Sequence, residues 1–144
     1  MTDAIAPRFD RYVGIDYSGA QVATASLPGL RVYLADRASL PVEVLPPSSP
    51  RKYWTRRGIA EWLVDLLSER RPAGRSAVAE VYPSLWSHSF AREGRTADQH
   101  DAYSGAAWMR SADLDGSLAA ALDPPLEPAE RDVVRIEGWI LGIK

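Results

Sequence analysis

The sequence predicts an α/β fold whose sheet opens with a three-stranded antiparallel meander and is packed by about three helices. Three observations predict it. Residues 11–16 follow a polar start and carry the β-prone side chains of Tyr12, Val13 and Ile15. Residues 22–27 and 30–35 are two more extended runs on either side of Pro28-Gly29, and strands joined by so short a turn run antiparallel. Beyond Thr55, the apolar residues Ile59, Trp62, Leu63, Leu66 and Leu67 return at intervals of three and four, the period of a helix with one buried stripe.

The elements follow in order. Residues 1–10 are polar and form a loose N-terminus; the strand over 11–16 then exits at Asp16, and Gly19-Ala20 turns the chain. Residues 41–50 hold four prolines and two serines, which makes them an extended connector, because proline fixes φ and donates no backbone hydrogen bond. Thr55 is a suitable N-cap for the first helix, which ends before Pro72 and Gly74. A short strand over 77–81 is stopped by Pro83, and 87–96 is a polar surface loop. The second helix runs from near Asp98 to Asp113 and is stopped by Gly116; Ala102, Gly105, Ala106 and Met109 give it a stripe small enough to lie close on the sheet. Pro128 suits the first turn of a third helix carrying Val133, Val134 and Ile136, with Gly138 as its cap. The apolar tail 139–143 requires burial.

Composition bounds the function. A chain of 144 residues fits one domain over 1–144 that buries roughly two thirds of its extended surface, so a core forms without metal or disulfide staples. With no cysteine there is no zinc knuckle and no thiol nucleophile. No run is apolar enough for a signal peptide or a membrane span, and the expectation is a cytoplasmic protein with no membrane partner. Seventeen basic against nineteen acidic residues, a net charge of −2, argue against tight binding of nucleic acid through global charge. Two local basic groups remain, Arg51, Lys52, Arg56 and Arg57, then Arg70, Arg71 and Arg75. They are either solvated ends of one helix or a phosphate-contact surface. Arg51, Lys52 and Trp54 are the candidate nucleic-acid contacts, two cations beside a ring able to stack on a base, although most of the five tryptophans should anchor the core.

Acids at element ends carry the candidate chemistry. Asp16 lies at the exit of the first strand, Glu80 in the strand over 77–81, and Asp98 and Asp101 at the start of the second helix. A carboxylate at the C-terminal end of a parallel strand points into the crevice where open α/β sheets place ligands. A hard ion such as Mg²⁺ or Mn²⁺ takes oxygen ligands there, and such ions activate water and stabilise a leaving oxygen. Each acid has a plainer role as well: Asp16 could serve the turn that follows, Glu80 an exposed strand face, and Asp98 and Asp101 the positive end of their helix. His100 reads as a partly exposed helix residue before it reads as a base. No zinc, Walker, dinucleotide or G-x-S-x-G spacing occurs, and Ser18 lacks a histidine partner.

Four segments in order resemble one family: Gly14-Ile15-Asp16-Tyr17-Ser18-Gly19-Ala20, Glu80-Val81-Tyr82-Pro83-Ser84-Leu85-Trp86, Asp98-Gln99-His100-Asp101-Ala102-Tyr103 and Glu137-Gly138-Trp139-Ile140-Leu141-Gly142. They are similar to the predicted RNase H-like nuclease family, also known as domain of unknown function 429. The resemblance implies an RNase H-like mixed sheet, the antiparallel meander plus a parallel strand or strands, with a C-terminal helix whose early acid faces the acid of the first strand. It implies Asp16 as principal metal ligand, Glu80 as a second and Asp101 as the helix acid, with Asp98 beside it, holding Mg²⁺ or Mn²⁺ for phosphodiester hydrolysis.

The chain departs from the family in lacking its long central region, which begins with a strand containing Asp-Phe-Pro. Either 77–81 takes the vacant place beside the first strand and brings Glu80 against Asp16, or the sheet keeps an open edge that a second copy could cover. The alternative function is accordingly a catalytically silent oligomeric or binding module on the same core. A third reading, a phosphate-binding relative of the actin-like kinases, rests on Asp16-Tyr17-Ser18-Gly19 alone and lacks the second phosphate loop and adenosine motif.

Overall fold

The computed structural model describes residues 6–17, 22–47, 52–68, 75–80, 90–122 and 125–137. Among them are the strands β1 (Arg11–Tyr17), β2 (Leu30–Asp36), β3 (Val42–Glu43) and β4 (Ser76–Glu80), and the helices α1 (Arg56–Ser68), α2 (Ala97–Asp115), α3 (Leu118–Leu122) and α4 (Pro128–Glu137). The sheet order is β3-β2-β1-β4. The first three strands form an antiparallel meander, and β4 lies parallel to β1. The strand after α1 therefore occupies the place beside β1.

The meander is present with different members. No strand covers 22–27: Ala25 N–H bonds back to the Val22 carbonyl at 3.2 Å, Arg57 N–H to the Ala23 carbonyl at 3.0 Å and Leu27 N–H to the Trp54 carbonyl at 3.2 Å. The segment spends its backbone groups on the entry to α1 instead of on a neighbouring strand. Its place in the meander passes to β3, two residues of the proline-rich connector, and an edge strand of that length tolerates the missing donors of nearby prolines. Thr55 caps α1 as the sequence suggests, its Oγ1 accepting from Gly58 N–H at 2.9 Å.

Side-chain parity along β1 assigns the two faces of the sheet. Val13 and Ile15 join Leu30, Val32, Trp54 and Ile59 in a core closed by the stripe of α1, including Trp62, Leu63 and Leu66. Tyr12, Gly14 and Asp16 point the other way, toward α2. There the helix comes very near. A Cβ on Gly14 would lie 2.8 Å from the Ala106 backbone nitrogen and nearer still to the Ala102 carbonyl oxygen, so only glycine fits against the small residues of α2. The short helix α3, absent from the sequence reading, docks Leu118 against Tyr12, Met109 and Ala112. Pro128 opens α4 as expected.

Residues 8–10 are not loose. Buried Asp113 accepts from the backbone N–H of Arg8 and of Phe9, each at 2.9 Å, and from the Tyr12 hydroxyl at 2.6 Å. Asp10 N–H bonds the Arg75 carbonyl at 2.8 Å, tying the same segment to β4. Burial, then the neighbouring Asp113 carboxylate, pushes the Tyr12 phenol well above its ordinary range. Asp113→Asn replaces an acceptor that serves three donors with one that opposes its own NH₂ to at least one of them, and should cost about 2 kcal/mol. Urea unfolding measures this; a loss under about 0.5 kcal/mol at unchanged m would show that the clamp contributes little.

The turn expected at Gly19-Ala20, the helix stop at Pro72 and Gly74, the strand stop at Pro83, the cap at Gly138 and the tail 139–143 lie outside the described residues, as do Arg51, Arg70, Arg71, Trp86 and Trp139. No helix among the described residues is long and apolar enough to cross a membrane.

Candidate metal centre

Asp16 is the penultimate residue of β1, near the end toward which both β1 and β4 run, and is 2 % exposed. Its parity aims it at α2. That helix starts at a fixed point, because Thr96 and Gln99 form a reciprocal capping box: Thr96 Oγ1 accepts from Gln99 N–H at 3.2 Å and Gln99 Oε1 accepts from Thr96 N–H at 2.9 Å. Asp98 and Asp101, three residues apart, then share one side of its first turns. Because Gly14 lets the helix approach, one carboxylate oxygen from each of Asp16, Asp98 and Asp101 lies within 4.8 Å of the others. Asp16 and Asp101 are buried and Asp98 is half-buried.

Gathering three acids in a buried place has an electrostatic cost, and Asp101 registers it. Burial and then the negative charge of Asp98 raise its pKa above the ordinary carboxylate value, while His100 and Arg92 pull it back down. The donor set is oxygen only, the preference of a hard divalent cation. Oxygens sharing one Mg²⁺ at about 2.1 Å lie about 3–4 Å apart. A spread of 4.8 Å closes onto one ion through small side-chain rotations, so the residues fit such an ion.

No protein-family model, curated protein or solved structure matches this chain. The centre therefore rests on its own geometry. Three of the four acids singled out from the sequence meet there, and Glu80 is not among them. It is the last residue of β4, exposed, and registers with Ile15, so it shares the α1 face of the sheet, where its charge raises the pKa of Tyr17 after burial has done so. The strand stands beside β1, yet its acid and Asp16 are on opposite faces.

Trp54 corrects the nucleic-acid reading. It is 3 % exposed, its indole N–H bonds the Val44 carbonyl at 2.9 Å, and its ring tilts against Trp62 at 6.2 Å, so it anchors the core and is not an exposed platform for a base. Lys52 is exposed, with its ammonium 5.5 Å from the Tyr53 ring centre, and Arg51 lies outside the described residues. His100 is buried, not partly exposed: Arg95 Nε donates to its Nδ1 and Ser104 Oγ lies by its Nε2, both at 3.4 Å. A cavity of about 310 Å³ opens at the start of α1, walled by Pro46, Tyr53, Thr55, Arg57 and Glu61 among others, and none of the three aspartates lines it.

Sequence reasoning missed the residues around the centre. Gln99 was recoverable, since Thr96 followed three residues later by glutamine is the signature of a capping box. The Glu43 contact to Gln99 spans 56 positions and leaves no local trace. Arg95, its guanidinium 3.6 Å from the Tyr103 ring centre, and Arg92 lie in the loop read only as polar surface.

Proposed function

We propose that this protein is a metal-dependent phosphodiesterase with an RNase H-like core, related to the predicted nuclease family of domain of unknown function 429, and that Asp16, Asp98 and Asp101 hold Mg²⁺ or Mn²⁺. The observation that carries the reading is the convergence of a strand acid with two helix acids within 4.8 Å. The mixed sheet, three antiparallel strands with one parallel to the first, and the nearness of the Asp16 and Asp101 carboxylates support this reading.

A bound ion would supply Lewis-acid activation of water and of the scissile phosphate. The chain's own part is to orient the three carboxylates toward one point. Buried Asp16 contributes from the sheet, and buried Asp101 and half-buried Asp98 contribute from the helix. Arg92, whose charge reaches Asp101, adds positive potential beside the site for an anionic substrate.

Asp16→Asn keeps the shape of the side chain and removes a ligand charge. Mn²⁺-dependent cleavage of single- and double-stranded nucleic acid should fall to background while unfolding stays cooperative. Cleavage that survives both this variant and Asp101→Asn would remove the nuclease reading.

One observation favours a second reading, a silent binding module. Leu40, Val42 and Leu45 are 63, 67 and 71 % exposed around the edge strand β3. That reading predicts no cleavage with Mn²⁺ and a dimer in solution that Val42→Lys dissolves.

A further inference from the structure

We infer that Glu43 is a positioning residue for the metal centre, holding Arg31 away from Asp16; the inference rests on the metal-binding reading above. Register supplies the problem that Glu43 solves. Arg31 is the β2 partner of Asp16, and such partners share a face of the sheet with Cβ atoms about 5 Å apart. A guanidinium in that position is suited to pair with the Asp16 carboxylate and to occupy the space of a metal cation.

The structure shows Arg31 directed elsewhere. Its Nη1 forms a 2.7 Å ion pair with Glu43 Oε1, its Nε donates to the Pro28 carbonyl at 2.8 Å, and the guanidinium carbon lies 5.7 Å from the Tyr53 ring centre. Both side chains of the pair are largely buried, 18 % exposed for Arg31 and 22 % for Glu43, so the contact is only weakly screened. Glu43 is well placed for this, because it registers with Tyr33 on the α2 face of the sheet.

The second oxygen of Glu43 serves the helix. Gln99 Nε2 donates to Glu43 Oε2 at 3.0 Å, while Gln99 Oε1 completes the capping box with Thr96. Gln99 stands between Asp98 and Asp101 in the chain. One carboxylate on β3 thus joins the β2 neighbour of Asp16 to the turn that presents the other two acids. Outer contacts of this kind commonly change metal affinity by about 10–100-fold when removed.

The test is Mn²⁺ binding to the full chain, followed by the loss of the free-ion EPR signal, for the parent, Glu43→Gln, Arg31→Gln and the double variant. Glu43→Gln should weaken binding at least 10-fold with cooperative unfolding retained, and that loss should largely vanish in the Arg31→Gln background. A loss of equal size in both backgrounds would mean that Glu43 does not act through Arg31, and an affinity within twofold of the parent would mean that it does not act; either overturns the inference. If Glu43→Gln does not fold, the double variant decides: parent-like affinity supports the inference and a 10-fold loss defeats it. A parent chain that binds no Mn²⁺, or binds it equally after Asp16→Asn, removes the metal reading and this inference together, whereas Asp16-dependent binding indifferent to Glu43 removes this inference alone.

Discussion

Gly14→Ala is expected to destabilise the protein by about 3 kcal/mol, the upper end for overpacking a core, and to lower the melting temperature by about 6–12 °C. The backbone of Gly14 lies outside the left-handed region, so alanine can adopt it, and the effect is purely steric. The added carbon meets the Ala106 nitrogen and the Ala102 carbonyl, which are backbone atoms of α2 and cannot rotate aside as a side-chain tip could. Trimming Ala102 or Ala106 to glycine therefore gives no relief. The helix must move off the sheet, and Asp101, adjacent to Ala102, moves with it. Metal binding should be lost along with stability, even at temperatures where the variant remains folded. Urea unfolding and Mn²⁺ titration together check this; stability within about 0.5 kcal/mol of the parent with unchanged Mn²⁺ binding would mean that the close approach does not position the site.

Gly14 also shows which parts of this fold the sequence discloses. Tyr12, Val13 and Ile15 identify β1 because strand preference and burial agree there, and the small residues of α2 betray a helix that must lie close to something. What that helix approaches is a long-range fact. Residues 22–27 have strand-like composition, but their backbone partners, the Trp54 carbonyl and the Arg57 N–H, are some 30 positions away and are not visible in local propensity. β3 is concealed by its prolines for the opposite reason, since a two-residue edge strand needs very little β character.

The site divides along the same line. Asp98 and Asp101 share a helix side by spacing alone, and Asp16 follows from the strand exit. Glu80 depends on register between β1 and β4, where a shift of one residue exchanges the faces; pairing with Ile15 instead of Asp16 is enough to exclude it. Trp54 and Arg31 are similar cases. A tryptophan amid basic residues looks like a stacking platform until its indole proves to be tied to Val44, and nothing adjacent in sequence announces that Arg31 lies beside Asp16.

Mn²⁺ or Mg²⁺ should stabilise the protein, and more so as pH rises through the lower part of the range. At a concentration one hundred times Kd the gain is about 2.7 kcal/mol, or about 5–11 °C in melting temperature. The pH dependence follows from Asp101. Its folded pKa is raised by burial and by Asp98, so the folded state binds this proton more tightly than the unfolded chain does. Metal-free stability then falls at this site as pH climbs from the ordinary carboxylate value of 3.8 to the raised one, and levels off above it. A cation reverses the penalty by replacing the proton, so binding releases protons inside that window and its affinity grows with pH until Asp101 is ionised in the free protein. The difference between melting temperatures with and without Mn²⁺ should therefore widen with pH and then plateau. Asp101→Asn should flatten the metal-free pH dependence attributable to this site, raise metal-free stability above the window, and abolish the Mn²⁺ shift. A Mn²⁺ shift of equal size at every pH, or one that persists in Asp101→Asn, would place the ion somewhere other than among these three carboxylates.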